Sequence, residues 1–299
     1  MLYCISTTIF EGGTCMWIAD KWEDFRVIDA SCGEKLENWS GYKLIRPDPQ
    51  VIWKTEKGAE WKKNIAAHYH RSEAGGGKWE IFDLPEVFSV SYRDLKFNLK
   101  PMGFKHTGLF PEQACNWDWA DGVIKNCGYR PNVLNLFAYT GGASVACSRA
   151  GASVCHVDAS KGMTAWAKEN AVLCGISDIR FIVDDCIKFV SREIRRGRKY
   201  DGIIMDPPSY GRGPGGEVWK LENELYSLLT LCLDVMSEKP LFFLLNSYTT
   251  GLSASCMEYM LGVTVARRFG GKVTASEIGL PVERSGYILP CGASARWER

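Results

Sequence analysis

Three features are missing from this sequence of 299 residues: a large net charge, a paired-cysteine motif and a long apolar run. The formal net charge of +1 excludes a molecule that attracts nucleic acid over its whole surface, so a polyanionic partner would need a local basic patch. The longest apolar runs fall well short of the roughly 20 residues that cross a bilayer. Residues 1–13 lack a basic region and are interrupted by Glu11, which argues against a signal peptide.

The twelve cysteines do not form a metal-binding or disulfide pattern. They are scattered, no two have the CxxC spacing, and Cys147, Cys155 and Cys232 lie in apolar runs, where cysteine behaves as a small hydrophobic residue. We therefore predict no metal site, no membrane association and a reducing, cytoplasmic location.

Residues 1–100 are rich in tryptophan and poor in helical periodicity, which predicts a small β-rich (α+β) accessory domain. Its predicted elements are short strands at Arg26–Asp29, Tyr42–Arg46, Trp79–Phe82 and Leu95–Leu99 and one helix at Glu60–Tyr69.

Residues 101–299 show a different pattern, in which apolar strand-like runs alternate with stretches of helical length. The predicted strands are Val133–Ala138, Val154–Val157, Ile179–Val183, Gly202–Met205 and Leu241–Leu245, and the predicted helices are Gly142–Arg149, Met163–Cys174, Cys186–Arg195 and Glu217–Met236. This alternation predicts an α/β, Rossmann-like and mostly parallel sheet covered on both faces. Runs at Lys272–Ile278 and Tyr287–Leu289 predict a terminal hairpin, which makes the last strand antiparallel.

The first of these strands ends in a glycine turn at Asn135–Gly142, with the sequence NLFAYTGG. Glycines here let the backbone turn sharply beside a ligand. The GxGxxG spacing that holds a pyrophosphate is absent, which argues against a dinucleotide. An ordinary strand–turn–helix junction is the alternative.

Acidic residues follow the next three strands, at the edge where open α/β sheets bind ligands. Asp158 is placed to hold the two ribose hydroxyls of an adenosine, and Asp184 or Asp185 to accept from the adenine amino group. Each could instead cap the following helix. Asp206-Pro207-Pro208-Ser209-Tyr210 is the most specific pattern, because two prolines fix the chain beyond a strand and an aromatic ring follows.

Together these segments resemble the class I S-adenosylmethionine-dependent methyltransferases, and more narrowly the bacterial 23S rRNA cytosine-C5 and guanine-N7 methyltransferase group. The similarity runs from about Phe104 to the C-terminus and includes Lys105–Gln113, KHTGLFPEQ. It implies S-adenosylmethionine as cofactor and the following site. The implied cofactor-binding residues are Thr107, Phe110, Gln113, Asn135, Phe137, Thr140, Gly141, Asp158, Ala159, Asp184, Asp185 and Asp206, and the implied catalytic residues are Asp206, Pro207 and Tyr210.

The sequence departs from this group after the fifth strand. Cytosine-C5 members place a cysteine there, and Tyr248 stands at that position here. Cytosine C5 becomes nucleophilic only after a thiolate adds to the ring. Cys256 comes later, and we expect it to be a packing residue, so a nitrogen acceptor held by Asp206 and the Pro207 carbonyl is favoured.

The expected function is methylation of a ribosomal RNA base. Alternatives are a small-molecule methyltransferase with the N-terminal domain as a lid and an RNA-associated protein that binds the cofactor without turnover. The nucleotide, the acceptor atom and the oligomeric state stay open, a dimer included.

Overall fold

A computed structural model describes residues 16–72, 76–213, 215–249 and 251–299. The segment without a basic region at residues 1–13 lies outside the described residues. No helix in the described part of the chain is long and apolar enough to cross a membrane.

The N-terminal part is rich in strands, as predicted, and most of its strand pairs are antiparallel. A five-stranded sheet has the order β2-β3-β4-β5-β6, from β2 (Phe25–Ser31), β3 (Glu34–Trp39), β4 (Tyr42–Pro47), β5 (Ile65–Arg71) and β6 (Gly77–Ile81). A hairpin follows, made of β7 (Phe88–Tyr92) and β8 (Leu95–Leu99). The short β1 (Trp17–Ile18) instead joins the large C-terminal sheet, where it pairs in parallel with β16 (Lys272–Pro281).

The helix predicted at Glu60–Tyr69 is wrong. A single 3-10 turn at Ala59–Lys62 is followed by β5, which pairs with both β4 and β6. Asn64 between them has a φ of 56°, a left-handed conformation that a right-handed helix cannot contain. Local helix propensity therefore yields to pairing in the sheet.

The C-terminal part confirms the predicted Rossmann-like sheet. Its strands are β9 (Asn132–Leu136), β10 (Ser153–Asp158), β11 (Arg180–Val183), β12 (Gly202–Met205), β15 (Phe242–Ser247), β16 (Lys272–Pro281) and β17 (Ile288–Glu298), in the order β1-β16-β17-β15-β12-β9-β10-β11. The last strand, β17, is antiparallel to both of its neighbours, as expected from the terminal hairpin. It is much longer than the predicted run at Tyr287–Leu289.

Helices cover both faces of this sheet. They are α1 (Ala114–Asn126), α2 (Gly142–Arg149), α3 (Lys161–Leu173), α4 (Cys186–Arg195), α5 (Leu221–Cys232) and α6 (Ala254–Leu261), the last continued by a π-helical turn at Gly262–Ala266 and a final turn at Arg267–Phe269. A 3-10 turn at Pro111–Gln113 leads into α1. The sheet core includes Leu134, Leu136, Ile203, Phe242 and Phe243, which are completely buried.

The predicted helix at Glu217–Met236 begins later than expected, because its first residues form a strand. A small hairpin joins β13 (Tyr210–Arg212) to β14 (Val218–Lys220), and α5 starts only at Leu221. The indole of Trp219 donates to the Pro208 carbonyl at 2.6 Å, which ties this hairpin to the double proline.

The order of the strands fixes where a ligand can bind. The chain runs outward from β9 through β10 to β11 on one side, and from β12 to β15 on the other. The turns after β9 and β12 therefore diverge and leave a crevice at the carboxyl edge of the sheet.

Candidate active site

The turn after β9 is held in a strained backbone conformation. Phe137 and Tyr139 have left-handed φ angles of 54° and 52°, and Gly141 has a φ of 87°. A Cβ atom on Gly141 would lie 2.9 Å from the Ala167 Cβ, so α3 packs against the bare backbone here. Non-glycine residues keep such angles only where the surrounding structure enforces them, and such strain is concentrated at ligand sites.

Asp158, the last residue of β10, is linked to this turn. Its Oδ2 accepts from the Tyr139 amide at 2.8 Å and its Oδ1 from the Ser160 amide at 2.8 Å. Burial raises the pKa of the carboxyl above its usual value, while the two amide bonds act against that shift. A carboxylate oxygen has two acceptor positions, so each oxygen can take one more donor.

The two acids after β11 have different surroundings. Asp184 forms an ion pair with Arg192 and does not line the crevice. Asp185 accepts from the Lys188 amide at 2.9 Å as the N-cap of α4, and it also lines the crevice. The sequence left two alternatives for Asp185, a helix cap or an acceptor for the adenine amino group. Its position in the structure is compatible with both roles.

Asp206 follows β12 and faces the crevice from the other side. Its Oδ1 accepts from the Asn246 amide at 2.8 Å, and burial raises the pKa of the carboxyl to about 6, with a smaller contribution from Glu112. Pro207 is buried and also lines the crevice. Tyr210 is 53% exposed and does not line the crevice, whereas Trp219 does.

Two adjoining cavities occupy the crevice. The larger, of about 650 Å³, brings together most of the predicted residues, among them Phe110, Phe137, Asp158, Ala159, Asp185, Asp206 and Pro207. The smaller, of about 60 Å³, is lined by Phe110, Gln113, Asn135, Phe137, Thr140, Gly142 and Asp206, among others. Gly141 lines neither cavity and acts through the shape of the turn.

The segment before α1 covers the turn after β9, as the resemblance implies. The Thr140 hydroxyl donates to the Gly108 carbonyl, and the Phe110 ring stacks on Tyr248 with centroids 5.2 Å apart. Thr107 is completely buried and lines neither cavity, and its hydroxyl has no partner among the described residues. Its predicted contact with the cofactor stays a prediction.

Several lining residues were not singled out from the sequence. Glu112 lies within the KHTGLFPEQ segment but was not itself singled out, and it is buried. Trp219 is brought in by the unpredicted β13–β14 hairpin. The N-terminal region also contributes part of the wall, through Lys35 and Arg46 of its sheet and through Asp48 and Gln50 just after β4. No local pattern marks these four residues, because only the packing of the two sequence regions places them beside Asp206.

The wall from the N-terminal sheet is a buried network of charges. Arg46 donates to both carboxylate oxygens of Glu37, at 2.6 and 2.9 Å, and Lys35 lies 3.3 Å from Glu37 and 3.4 Å from Asp48. The coulombic attraction of these cations lowers the pKa of Glu37 to about 2 against the opposing effect of burial, which is the largest single influence. The two cations and the two acids of this wall balance one another in charge.

Cys256 is exposed at the first turn of α6 and does not line either cavity. The expectation that it packs in the interior is wrong, since the first turn of α6, which Ser253 caps, lies with Ser255 and Cys256 exposed to solvent. Tyr248, which stands where the resemblance to the cytosine-C5 members implies a cysteine, does line the larger cavity.

The residues present fit an adenosine carrying a methionine chain. Asp158 and Asp185 offer acceptors at the ends of β10 and β11, aromatic rings flank the crevice, and the smaller cavity extends it beneath the glycine turn. The described residues contain no group of three or more histidine, cysteine or acidic side chains arranged to hold a metal.

A model of the family described as S-adenosylmethionine-dependent methyltransferase matches residues 50–223, more than half of the chain. The chain belongs to this family. The match spans the turn after β9, the acids after β10 and β11, and the double proline after β12. The crevice described above is therefore the candidate active site of this S-adenosylmethionine-dependent methyltransferase.

Known relatives agree with the family. The ribosomal RNA large subunit methyltransferase K/L of Shewanella frigidimarina is 34% identical over 156 residues, which is 51% of this chain and 21% of that protein. The chain thus corresponds to about a fifth of that relative's length. A solved S-adenosylmethionine-dependent methyltransferase from Agrobacterium tumefaciens is 36% identical, with a TM-score of 0.87 over 94% of this chain and 93% of that one.

A more distant solved methyltransferase, complexed with SAH, shares the fold. It is 19% identical, with a TM-score of 0.68 over 93% of this chain and 76% of that one. The fold class expected from the sequence and the expected cofactor are both confirmed.

Proposed function

We propose that this methyltransferase modifies a nitrogen atom of a base in large-subunit ribosomal RNA. The observation that carries the proposal is the position of Asp206. This residue follows the buried strand β12, and its carboxylate faces the larger cavity beside Pro207. The ribosomal substrate of the partial relative in Shewanella supports the RNA assignment.

Asp206 suits a nitrogen nucleophile because a carboxylate accepts hydrogen bonds and donates none. An amino group that donates to Asp206 and to the Pro207 carbonyl has its lone pair directed away from both. Bound S-adenosylmethionine supplies an already activated methyl group, so the protein has to orient the acceptor and exclude water. The proton released by the methylated nitrogen can pass to Asp206, whose pKa of about 6 makes it a usable base near neutral pH.

A flat acceptor is supported by the rings that line the crevice. Phe110 stacks on Tyr248, and Phe137 lies 4.9 Å from Trp219 between ring centroids. Unpaired RNA bases are held by such rings and by hydrogen bonds to their edges. Cytosine C5 is disfavoured as the target, since it requires a thiolate. Cys256 lies outside the cavities, and burial holds the pKa of Cys186 and Cys291, which do line the larger cavity, well above the usual value of a thiol.

A small-molecule acceptor is the second candidate, and the N-terminal wall favours it. Lys35, Arg46, Asp48 and Gln50 line the cavity that also holds Asp206, as a lid over a compact substrate would. A flipped base needs a pocket of the same kind. The third alternative, cofactor binding without turnover, is disfavoured by the intact Asp206-Pro207-Pro208 sequence at the cavity.

Transfer of labelled methyl groups to RNA from a strain lacking the gene tests the proposal. We expect label in large-subunit ribosomal RNA, carried by one N-methylated nucleoside after digestion. RNA from the parent strain is the control and should take up no label, since the site is already methylated. Label found only in the small-molecule fraction of a cell extract would favour the second candidate.

A further inference from the structure

Arg296 of β17 is a buried cation that lines neither cavity. Its side chain is 8% exposed, and it forms no ion pair with a carboxylate in the described ranges. The guanidinium instead lies 3.6 Å from the Trp17 ring centroid and donates to the Cys115 carbonyl at 3.0 Å. Burial lowers its pKa to about 10, so the side chain stays charged at neutral pH. A buried charge without a counter-ion is unfavourable unless its donors are used.

A chain of directed hydrogen bonds runs from Arg296 to Asp206. Arg296 can only donate, and its Nε and Nη2 donate to the Asn116 Oδ1 at 3.0 and 2.7 Å. The Asn116 nitrogen therefore points away from the arginine, and it donates to the Ser294 hydroxyl at 3.0 Å. Ser294 donates in turn to the Asn246 Oδ1 at 2.6 Å, and the Asn246 nitrogen donates to Asp206 at 2.8 Å.

The register of the sheet explains why these residues meet. Ser294 and Arg296 are two positions apart on β17, so their side chains lie on the same face. Ser294 is directly opposite Asn246 of β15, and Asn116 of α1 packs on that face. Asn116, Asn246 and Ser294 are at most 1% exposed, so solvent does not compete for their hydrogen bonds.

The direction of this hydrogen-bond chain decides which atom of Asn246 faces Asp206. If the Asn116 amide were turned round, its oxygen would accept from Ser294, and the Ser294 oxygen would then accept from the Asn246 nitrogen. The Asn246 oxygen would in that case face the Asp206 carboxylate, so that two acceptors would meet. Arg296 prevents this arrangement because it offers no acceptor to the Asn116 nitrogen.

The same arginine orients a second amide. The Asn116 nitrogen also donates to the Gln113 Oε1 at 2.8 Å, so the Gln113 nitrogen is directed to the Tyr248 hydroxyl, to which it donates at 2.9 Å. Gln113 and Asn246 both line the smaller cavity. One buried cation therefore fixes both amides at this end of the crevice.

We propose that Arg296 is a positioning residue of the active site, which keeps the Asn246 N–H directed at Asp206 from a place outside both cavities. Its effect on methyl transfer rests on the proposed function, in which Asp206 accepts a hydrogen bond and a proton. The orientation of Asn246 does not depend on that function. An N–H donor favours the ionised form of a carboxyl, so loss of Arg296 should raise the pKa of Asp206.

Other titratable and charged groups face Asp206 from the elements around the larger cavity. They include Glu112 before α1, Tyr248 after β15, Asp158 at the end of β10, and Lys35, Arg46 and Asp48 of the N-terminal wall. Glu112 raises the pKa of Asp206, whereas Arg296 exerts no comparable direct attraction on it. Substitutions at Arg296 and Ser294 leave all of these groups in place, so a change in the titration of Asp206 reports on the hydrogen-bond chain.

Titration of Asp206 by carbon NMR in the cofactor-free enzyme tests this role, with Asp206→Asn to identify the resonance. In Arg296→Met, which keeps a long apolar side chain against Trp17, we expect the midpoint to rise by about one to two pH units, the size of a lost hydrogen bond to a charged group. Arg296→Lys, whose ammonium can only donate, should recover part of that rise. Arg299→Met, which changes an exposed arginine just beyond β17, is the matched control and should leave the midpoint unchanged.

Ser294→Ala interrupts the hydrogen-bond chain without removing the buried charge, so it decides the matter even if Arg296→Met does not fold. It should raise the midpoint of Asp206 by a similar amount. Arg296→Met added to Ser294→Ala should then have no further effect, because the hydrogen-bond chain is already broken. An unchanged midpoint in Ser294→Ala, or two shifts that add in the double variant, overturns the positioning role of Arg296.

The pH dependence of methyl transfer separates this role from the proposed function. The rise of kcat/KM with pH, measured on RNA from the gene-deleted strain, should move in both variants by the same amount as the NMR midpoint. If the NMR midpoint moves and the kinetic one does not, the positioning of Asn246 is supported and Asp206 is not the base. If the wild-type enzyme methylates no RNA, the proposed substrate is overturned, and the NMR titration still decides the role of Arg296.

Discussion

The Asp158 carboxylate faces the larger cavity and also accepts a hydrogen bond from the Tyr139 amide in the turn after β9. We expect Asp158→Ala to weaken S-adenosylhomocysteine binding by about 1.5–3 kcal/mol, the value of hydrogen bonds to a charged acceptor. Calorimetry measures this directly. Asp184→Ala is the comparison, since Asp184 is paired with Arg192 away from the cavity, and its Kd should stay within about twofold. Equal losses in both variants would contradict the assignment of the ribose to Asp158.

The pH dependence of methyl transfer should report on Asp206. Its pKa of about 6 is set first by burial, then opposed by Asn246, and raised further by Glu112. The carboxyl must be ionised to accept an N–H, so kcat/KM should rise with pH through about 6 and then level off. Asp206→Asn should abolish that limb and lower kcat/KM by at least about 100-fold, as losses of acid–base groups do. A limb that persists in the Asn variant would have to come from another group facing the cavity, such as Glu112.

The same carboxyl should reduce the stability of the fold. Its folded-state pKa lies above the ordinary value of 3.8, so the folded state binds more protons than the unfolded state between about 4 and 6. Stability therefore falls as the pH rises through that window. Asp206→Asn should raise the Tm at pH 8, and by less at pH 4, where the native carboxyl is protonated. Thermal unfolding at both pH values measures this, and a lower Tm at pH 8 would show that the charge is stabilised by contacts other than Asn246.

Residues next to a strand end could be predicted from the sequence, whereas those placed by distant packing could not. Asp158 and Asp206 each follow an apolar run, and a parallel sheet brings such ends to one edge. Cys256 shows the limit of this reasoning, because its place in a helix did not reveal that the start of α6 faces solvent.

At the scale of the elements, the central strands were predictable and the small hairpins were not. Continuous apolar runs such as β12 and β15 are typical of strands buried on both faces. The β13–β14 hairpin has only short strands, and it forms because Trp219 packs on Phe137 and bonds to Pro208. β5 differs from its predicted helix for a related reason, since its partners β4 and β6 decide its conformation.

The segment that covers the turn after β9 should tolerate no side chain at Gly108. This residue has a φ of 103°, and a Cβ atom would lie 2.4 Å from the Trp166 ring. We expect Gly108→Ala to destabilise the protein by about 1–3 kcal/mol, as overpacking does. Cofactor affinity should fall as well, because Thr140 bonds to the Gly108 carbonyl.

Gly103→Ala provides the control for this prediction, since Gly103 lies in the same segment and an added Cβ meets no atom within 4 Å. Denaturant unfolding and a cofactor titration of both variants are the measurements. If the two variants behave alike, the close approach at Trp166 does not constrain the segment.

At the scale of the whole molecule, the two sequence regions share one active site. The N-terminal region supplies the wall of Lys35, Arg46, Asp48 and Gln50, and the Gln50 amide donates to the Cys291 carbonyl of β17 at 3.2 Å. β1 in turn extends the C-terminal sheet. The change of pattern near residue 100 predicted two regions, but their joint cavity depends on contacts that a sequence pattern does not encode.

The balanced net charge has a consequence for RNA binding. A molecule with a net charge of +1 has to attract phosphates through a few local cations. Lys105 and Arg212 both line the larger cavity, and in the described part of the chain neither is paired with a carboxylate. Their positive charges are therefore available to a phosphate group of a bound strand.

Salt dependence measures this contribution. Each phosphate contact with a single strand adds about 0.7 to the slope of log K against log salt concentration, so Arg212→Gln and Lys105→Gln should each reduce the slope by about that amount. Lys125→Gln is the control, because Lys125 is paired with Asp121 on α1 outside both cavities, and its slope should equal that of the wild type. Filter binding of RNA from the gene-deleted strain between low and physiological salt gives the slopes. A slope that does not change in either cavity variant would mean that no phosphate reaches the active-site opening, and the compact, small-molecule acceptor would then be favoured.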